Sequence, residues 1–186
     1  MRRVQDSGKR VELISPGRST TGLGAVCIAA AREAARGGST DDVFRLIESA
    51  SMACDTYAIP RDFDYLERTG DLAIMNSQSN VGPIDGGLPL FRVRGRFSPV
   101  AVARDSAGAF DEALARIAAT SDGREVIIVL AADVPEGAVT TLTAGCRRAL
   151  NVAELHIAPA GPTVGSVLGP GSISLGFCVV PPGQER

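Results

Sequence analysis

The residues of this chain best suited to chemistry lie in the stretch 161–172, Gly161-Pro162-Thr163-Val164-Gly165-Ser166-Val167-Leu168-Gly169-Pro170-Gly171-Ser172. Four glycines and two prolines in twelve positions make a poor core element, because glycine loses much chain entropy and proline removes a backbone donor. The composition predicts a shaped loop and short helical turn presenting bare N–H groups, where an anion could sit. Turn residues in this density also build plain strand connections, and composition by itself favours that simpler reading.

Elsewhere, reactive side chains are scattered. His156 is the only histidine and sits in the alternating run Val152-Ala153-Glu154-Leu155-His156-Ile157-Ala158, a strand pattern with no nucleophile elbow beside it. A structural or surface histidine is the expectation. Cys27, Cys54, Cys146 and Cys178 are isolated, with no C-x-x-C pair and no histidine at ligand spacing, so neither a metal site nor a redox motif is expected. They read as buried reduced thiols. Gly22-Leu23-Gly24 follows a strand signal and opens a helix, as phosphate-binding loops do, but the third glycine of G-x-G-x-x-G and a ribose-binding acid are missing. A phosphate-binding enzyme therefore ranks last, and with no assembled acid, base and nucleophile the protein is expected not to be an enzyme.

Composition narrows the partners. The chain has 186 residues, 45% of them hydrophobic, enough for a real core in one domain or a small domain with an appendage. A net charge of −2, from 19 basic and 21 acidic residues, gives no polyanion-binding signature, so nucleic acid is not an expected partner. The apolar runs are too short to cross a bilayer, and no leader pattern opens the sequence, which points to a cytoplasmic location.

The elements that must position the 161–172 stretch follow from periodicity. Residues 11–14 read as a short strand, followed by a turn-rich loop and a helix capped by Thr20 or Thr21 that stops at Gly37-Gly38. Ser39-Thr40-Asp41-Asp42 starts a second helix with Val43, Phe44, Ile47 and Ala50 on one face. Residues 55–59 form a strand broken by Pro60, before a short helix with Phe63, Tyr65 and Leu66 that closes at Thr69-Gly70. Residues 88–93 and 97–103 pair as a hairpin across Arg94-Gly95-Arg96. Asp105-Ser106 caps a helix of Phe110, Leu114 and Ile117; residues 126–130 form a strand covered on both faces; and Pro135-Glu136 opens a helix before strands at 152–157 and 173–180. The alternation argues α/β, and the hairpin makes the sheet mixed.

Four separated segments, in order, carry a family resemblance. Val11-Glu12-Leu13-Ile14-Ser15 through Thr21-Gly22-Leu23-Gly24, Tyr57 through Leu66 to Gly70, Leu88-Pro89-Leu90 through Arg104, and Gly161-Pro162 through Gly165-Ser166 to Gly169-Pro170-Gly171 resemble motifs of the DegV family. That family comprises bacterial fatty-acid-binding proteins and includes the lipid-carrying subunit of fatty acid kinase. The resemblance implies a first α/β/α domain with a parallel sheet, a second two-layer domain with a mixed sheet, and a fatty acid in the cleft between them. On that plan residues 1–53 match a remnant of the first domain, one strand and two helices, and residues 54–186 match the second. The greater part of the first domain has no counterpart.

The implied ligand is a long-chain fatty acid, with no other cofactor. Its carboxylate is expected to meet Ser166, backbone groups near Gly165 and Gly169, and the basic Arg104. Two signature positions depart from the family: Ser166-Val167 stands where Thr-His is usual, and Gly70-Asp71 where Gly-Arg is common. A carrier that presents the acyl carboxylate to a kinase catalytic subunit is one functional reading. The other is an interaction module that has lost lipid binding. Because a missing half-domain leaves a sheet edge and an apolar wall to cover, both expect a homo-oligomer or a complementing chain.

Overall fold

The computed structural model describes residues 11–61, 87–181 and 183. Within them six strands form one sheet: β1 (Cys54–Ile59), β2 (Leu88–Val93), β3 (Phe97–Ala103), β4 (Val126–Ala132), β5 (Val152–Pro159) and β6 (Ile173–Val179), in the order β3-β2-β1-β6-β4-β5. Five helices cover it: α1 (Thr20–Ala35), α2 (Thr40–Met52), α3 (Ser106–Ser121), α4 (Glu136–Ala149) and α5 (Pro162–Leu168). The short helix expected at 63–66 with its turn at 69–70, Gly70-Asp71 and the arm 1–10 lie outside the described residues.

The last strand in sequence, β6, is central. It runs antiparallel to both β1 and β4, is buried at every position, and leaves β4–β5 as the parallel pair of a mixed sheet. The expected hairpin forms, with Val93 opposite Phe97, Gly95 at φ +73° and the Arg94 N–H donating to the Arg96 carbonyl at 3.2 Å. A left-handed turn residue of this kind favours glycine. Residues 11–14 form no strand. Val11 is 64% and Leu13 81% exposed, because alternating apolar residues make a strand only where a neighbouring strand takes up their backbone hydrogen bonds, and none lies alongside among the described residues.

The helix boundaries follow local chemistry. Ser39 and Asp42 make a reciprocal capping box at the start of α2, and the hydrogen bonds from the Ser39 hydroxyl and N–H hold the Asp42 carboxyl below its ordinary range. Leu46, Ala50 and Ser51 are the buried residues of α2, while Val43, Phe44 and Ile47 are half-buried. Asp105 caps α3 by accepting from the Gly108 N–H at 2.8 Å. At α1 the N-cap is Ser19 rather than Thr20 or Thr21, and its hydroxyl makes no capping bond.

Each sheet face has its own core. On one, Tyr57, Leu90, Ile128, Leu130, Leu175 and Phe177 pack against Phe110, Leu114 and Ile117 of α3 and Cys146 of α4. On the other, Cys54, Ile127 and Cys178 pack against Ala25, Val26 and Ala29 of α1 and Leu46 and Ala50 of α2. Val26 of α1 is 1% exposed because this sheet face takes it in. A third cluster of Ala58, Phe91, Val93 and Leu168 forms where α5 lies over β1 and β2.

The first turn of α1 packs directly on β6 and β1. A Cβ on Gly176 would collide with the backbone of Thr21 and Gly22, and a Cβ on Gly22 would collide with the Thr56 hydroxyl. Gly176→Ala is expected to destabilise the protein by about 3 kcal/mol, since neither backbone can retreat without opening the sheet–helix interface. Urea unfolding checks this: the midpoint should fall with the slope unchanged.

Candidate functional site

An apolar cleft of about 240 Å³ opens on the α1 side of the sheet, between the N-terminus of α1, the hairpin tip and α5. Its walls are Ala58 of β1, Val93, Gly95 and Phe97 of the hairpin, and Val164 and Leu168 of α5, one helical turn apart. Its polar lining is Ser19, Thr20 and Ser174. No charged side chain lines it among the described residues.

The hydroxyl side is anchored by a small network. Thr56 Oγ1 accepts from the Gly22 N–H at 2.9 Å and donates to the Ser19 carbonyl at 3.1 Å, while Thr21 Oγ1 and Ser174 Oγ share a hydrogen bond of 2.9 Å. These bonds seat the first turn of α1 on β1 and β6. Ser19 Oγ is buried and has no hydrogen-bond partner, a costly state for a hydroxyl. Thr20 takes φ +50°, a left-handed conformation that a β-branched residue rarely adopts and that tends to mark functional positions. Such a group of dipoles at a helix N-terminus favours an electron-rich head group.

The residues named from sequence divide between two places. Gly165, Ser166 and Gly169 belong to α5 and its cap, and the flanking Val164 and Leu168 reach the cleft. Ser166 is exposed and, two residues from each of them, lies on the opposite side of the helix. The bare N–H groups expected in this stretch are in use: Gly165 donates to the Gly161 carbonyl at 2.9 Å, Gly169 to the Gly165 carbonyl at 3.0 Å, and Gly171 to Asp133 Oδ2 at 3.2 Å. The helix takes up the first two, and the Asp133 carboxylate the third. Gly169 and Gly171, at φ +80° and +78°, shape the exit into β6.

Arg104 is exposed and follows β3 at the end away from the tip, roughly 20 Å along the strand from Phe97. It stands near a second concavity of about 360 Å³, lined by Arg61, Ser106, Val134, Leu142 and Ile173. Arg104 is not among the residues that line the apolar cleft, while Gly171, at the end of the 161–172 stretch, lines the second concavity. Sequence reasoning missed Ser19 and Thr20 as cleft residues. The available signal was Ser-Thr-Thr ahead of Gly-Leu-Gly.

The titratable groups offer little reactive chemistry. Burial pushes the thiols of Cys54 and Cys178 up to about 12 and that of Cys146 up to about 11, so none is a thiolate at neutral pH. Cys27 is exposed, against the expectation that all four would be buried. His156 is a surface residue of β5, its Nε2 2.7 Å from Glu154 Oε2. Among the described residues no cluster of His, Cys, Asp and Glu could hold a metal ion, and no helix is long and apolar enough to cross a membrane.

A mixed six-stranded sheet with helices on both faces and an apolar, hydroxyl-edged cleft defines an α/β protein with a site shaped for an apolar ligand. The sequence profile of the DegV family, described as uncharacterised proteins, matches residues 2–180, and the chain belongs to that family. Solved structures share the fold. A fatty-acid-binding DegV family protein from Thermus thermophilus matches with TM-score 0.79 at 22% identity, over 95% of this chain and 63% of its own. A stearic-acid-binding protein from Eubacterium ventriosum matches with TM-score 0.77 at 14% identity, over 95% of this chain and 62% of its own. DegV from Bacillus subtilis, a fatty-acid-binding protein, matches with TM-score 0.72 at 18% identity, over 95% of this chain and 64% of its own. The chain thus spans less than two thirds of the length of these relatives. No curated protein matches it.

Thiol labelling of the native protein at pH 8 should modify Cys27 rapidly and leave Cys54, Cys146 and Cys178 unmodified until denaturant is added. Rapid native labelling of any of those three would contradict the burial described.

Proposed function

We propose that this protein is a lipid carrier that holds a long-chain fatty acid in the cleft between α1 and α5. The observation that carries the reading is the cleft itself: apolar walls from three elements, with hydroxyls gathered on one side, in a member of a family whose solved relatives are named for fatty-acid binding. Each methylene buried there contributes about 0.8 kcal/mol, so roughly ten of them offset much of the cost of association. The volume of about 240 Å³ is below the usual ligand-pocket range of roughly 300–1,000 Å³, so the described walls hold part of a long chain.

The carboxylate has two candidate seats. The family signature points to Ser166 at α5, with Gly165 and Gly169 allowing close approach and Arg104 drawing the anion in over a distance. The cleft geometry points to Ser19 and Thr20, where the N–H groups of Thr20 and Thr21 make no hydrogen bond among the described residues. In the same reading the carrier presents the carboxylate to a kinase subunit, and exposed apolar residues such as Leu13, Met52 and Ile157 contribute to self-association. An interaction module without lipid is the competing reading.

Calorimetric titration with hexadecanoic acid decides among these. Wild type is expected to bind, and losing one hydrogen bond to a charged group should weaken binding about tenfold or more. If that loss follows Ser166→Ala, the signature serine holds the carboxylate. If it follows Ser19→Ala and spares Ser166→Ala, the α1 terminus does. Absence of binding by wild type supports the interaction module.

A further inference from the structure

We propose that the Asp55–Arg94 ion pair is a clamp that holds the hairpin tip in place as a wall of the cleft, making these two residues a positioning pair for the ligand. The inference rests on the acyl-carrier reading of the cleft. Asp55 is 4% exposed, on the sheet face that carries Tyr57 and opposite Phe177 in register. Arg94 grips it with two donors, Nε to Oδ1 and Nη2 to Oδ2 at 2.8 Å, the fork geometry that only a guanidinium supplies. Hydrogen bonding to the Asp55 carboxylate raises the Arg94 pKa further, so the cation persists at any working pH.

The placement of the pair argues for more than stability. A buried ion pair gains little over well-packed apolar residues, and breaking one by removing a single partner leaves an uncompensated charge. Only the Asp55 end of this pair is buried: its side chain is 6% exposed and that of Arg94 44%, so the pair links a buried carboxylate to a tip that reaches solvent. What the pair adds is a fixed location for the tip. The ladder between β1 and β2 registers only Tyr57 with Arg92 and Ala58 with Phe91, although β1 continues back to Cys54. The tip projects past that ladder, and Arg94 is the residue that ties it back to β1.

The tied residue stands among three that line the cleft. Val93 precedes Arg94, and Gly95 and Phe97 follow, with the Arg94 N–H to Arg96 carbonyl bond closing the turn. Phe97 also meets Phe91 edge-on, at a centroid distance of 5.9 Å. The clamp acts from the opposite sheet face, so neither charged group touches the ligand. Releasing it lets the tip swing and the cleft widen while the sheet stays paired.

Two readouts test this on the intact protein. In hydrogen exchange, Arg94→Ala should speed exchange at residues 93–97 about tenfold and leave the α2 amides unchanged, while Arg94→Lys, which keeps the charge, should show a smaller increase. In titrations with hexadecanoic acid, Asp55→Asn and Arg94→Ala should weaken binding about tenfold, and Arg94→Lys should recover part of that loss. Asp42→Ala, which breaks the α2 capping box far from the tip, serves as the control: stability falls and affinity holds. Unchanged exchange at the tip in Arg94→Ala overturns the clamp. So does wild-type affinity in both clamp variants. If wild type binds no acid while tip exchange rises as expected, the acyl-carrier reading fails and the clamp stands.

Discussion

Everything that gives this molecule a site depends on the contact between Gly176 of β6 and the first turn of α1. Because position 176 has no Cβ, the backbone of Thr21 and Gly22 can lie directly on the central strand. At that separation short side chains reach across, and the Thr21–Ser174 and Gly22–Thr56 hydrogen bonds close. The sheet thereby fixes where α1 begins. Since α1 begins at the cleft, the same contact fixes where Ser19 and Thr20 stand.

The rest of the cleft follows from the strand order. Placing β6 between β1 and β4 brings the end of α5 over β1 and β2, because the chain must return from β5 at the sheet's edge to the centre. Val164 and Leu168 of α5 then complete an apolar wall begun by Ala58 and Val93. Polar groups enter from one side only, and they are dipoles rather than charges. The full charges stand outside the cleft's lining: Asp55 with Arg94 on the other sheet face, Arg32 with Glu154 where α1 meets β5, and Arg18 on the carbonyls of Ser51 and Cys54. This separation suits a ligand that is mostly hydrocarbon, because a charge in the wall would need its own partner.

Most elements were legible because their signals are local. The hairpin announced itself through glycine between two arginines, α2 through Ser39 and Asp42, α3 through Asp105, and β4 through an unbroken apolar run. Each signal is satisfied within a few residues of chain. The strand expected at 11–14 failed for the opposite reason. Alternation is a local property, whereas a strand is completed only by a neighbour, and the described residues supply none there.

The candidate site divides along the same line. The 161–172 stretch was recognisable as unusual, and the family resemblance, resting on ordered motifs, reached the DegV family from residues alone. Which side of α5 faces the cleft is set by Val164 and Leu168 at i, i+4 spacing, a pattern that orients the segment only once it is known to be a helix rather than a loop. Helix formation and the Asp133 carboxylate also took up the N–H groups that composition suggested were bare. Arg104 follows the edge strand β3, at the end away from the hairpin tip. The sequence by itself determined element types, their order and the family, because caps, turns and periodicity are read over short distances. Only the tertiary structure decided that Ser19, Val93, Phe97, Leu168 and Ser174 share one cleft, because strand order and the Gly176 contact bring together residues more than 150 positions apart.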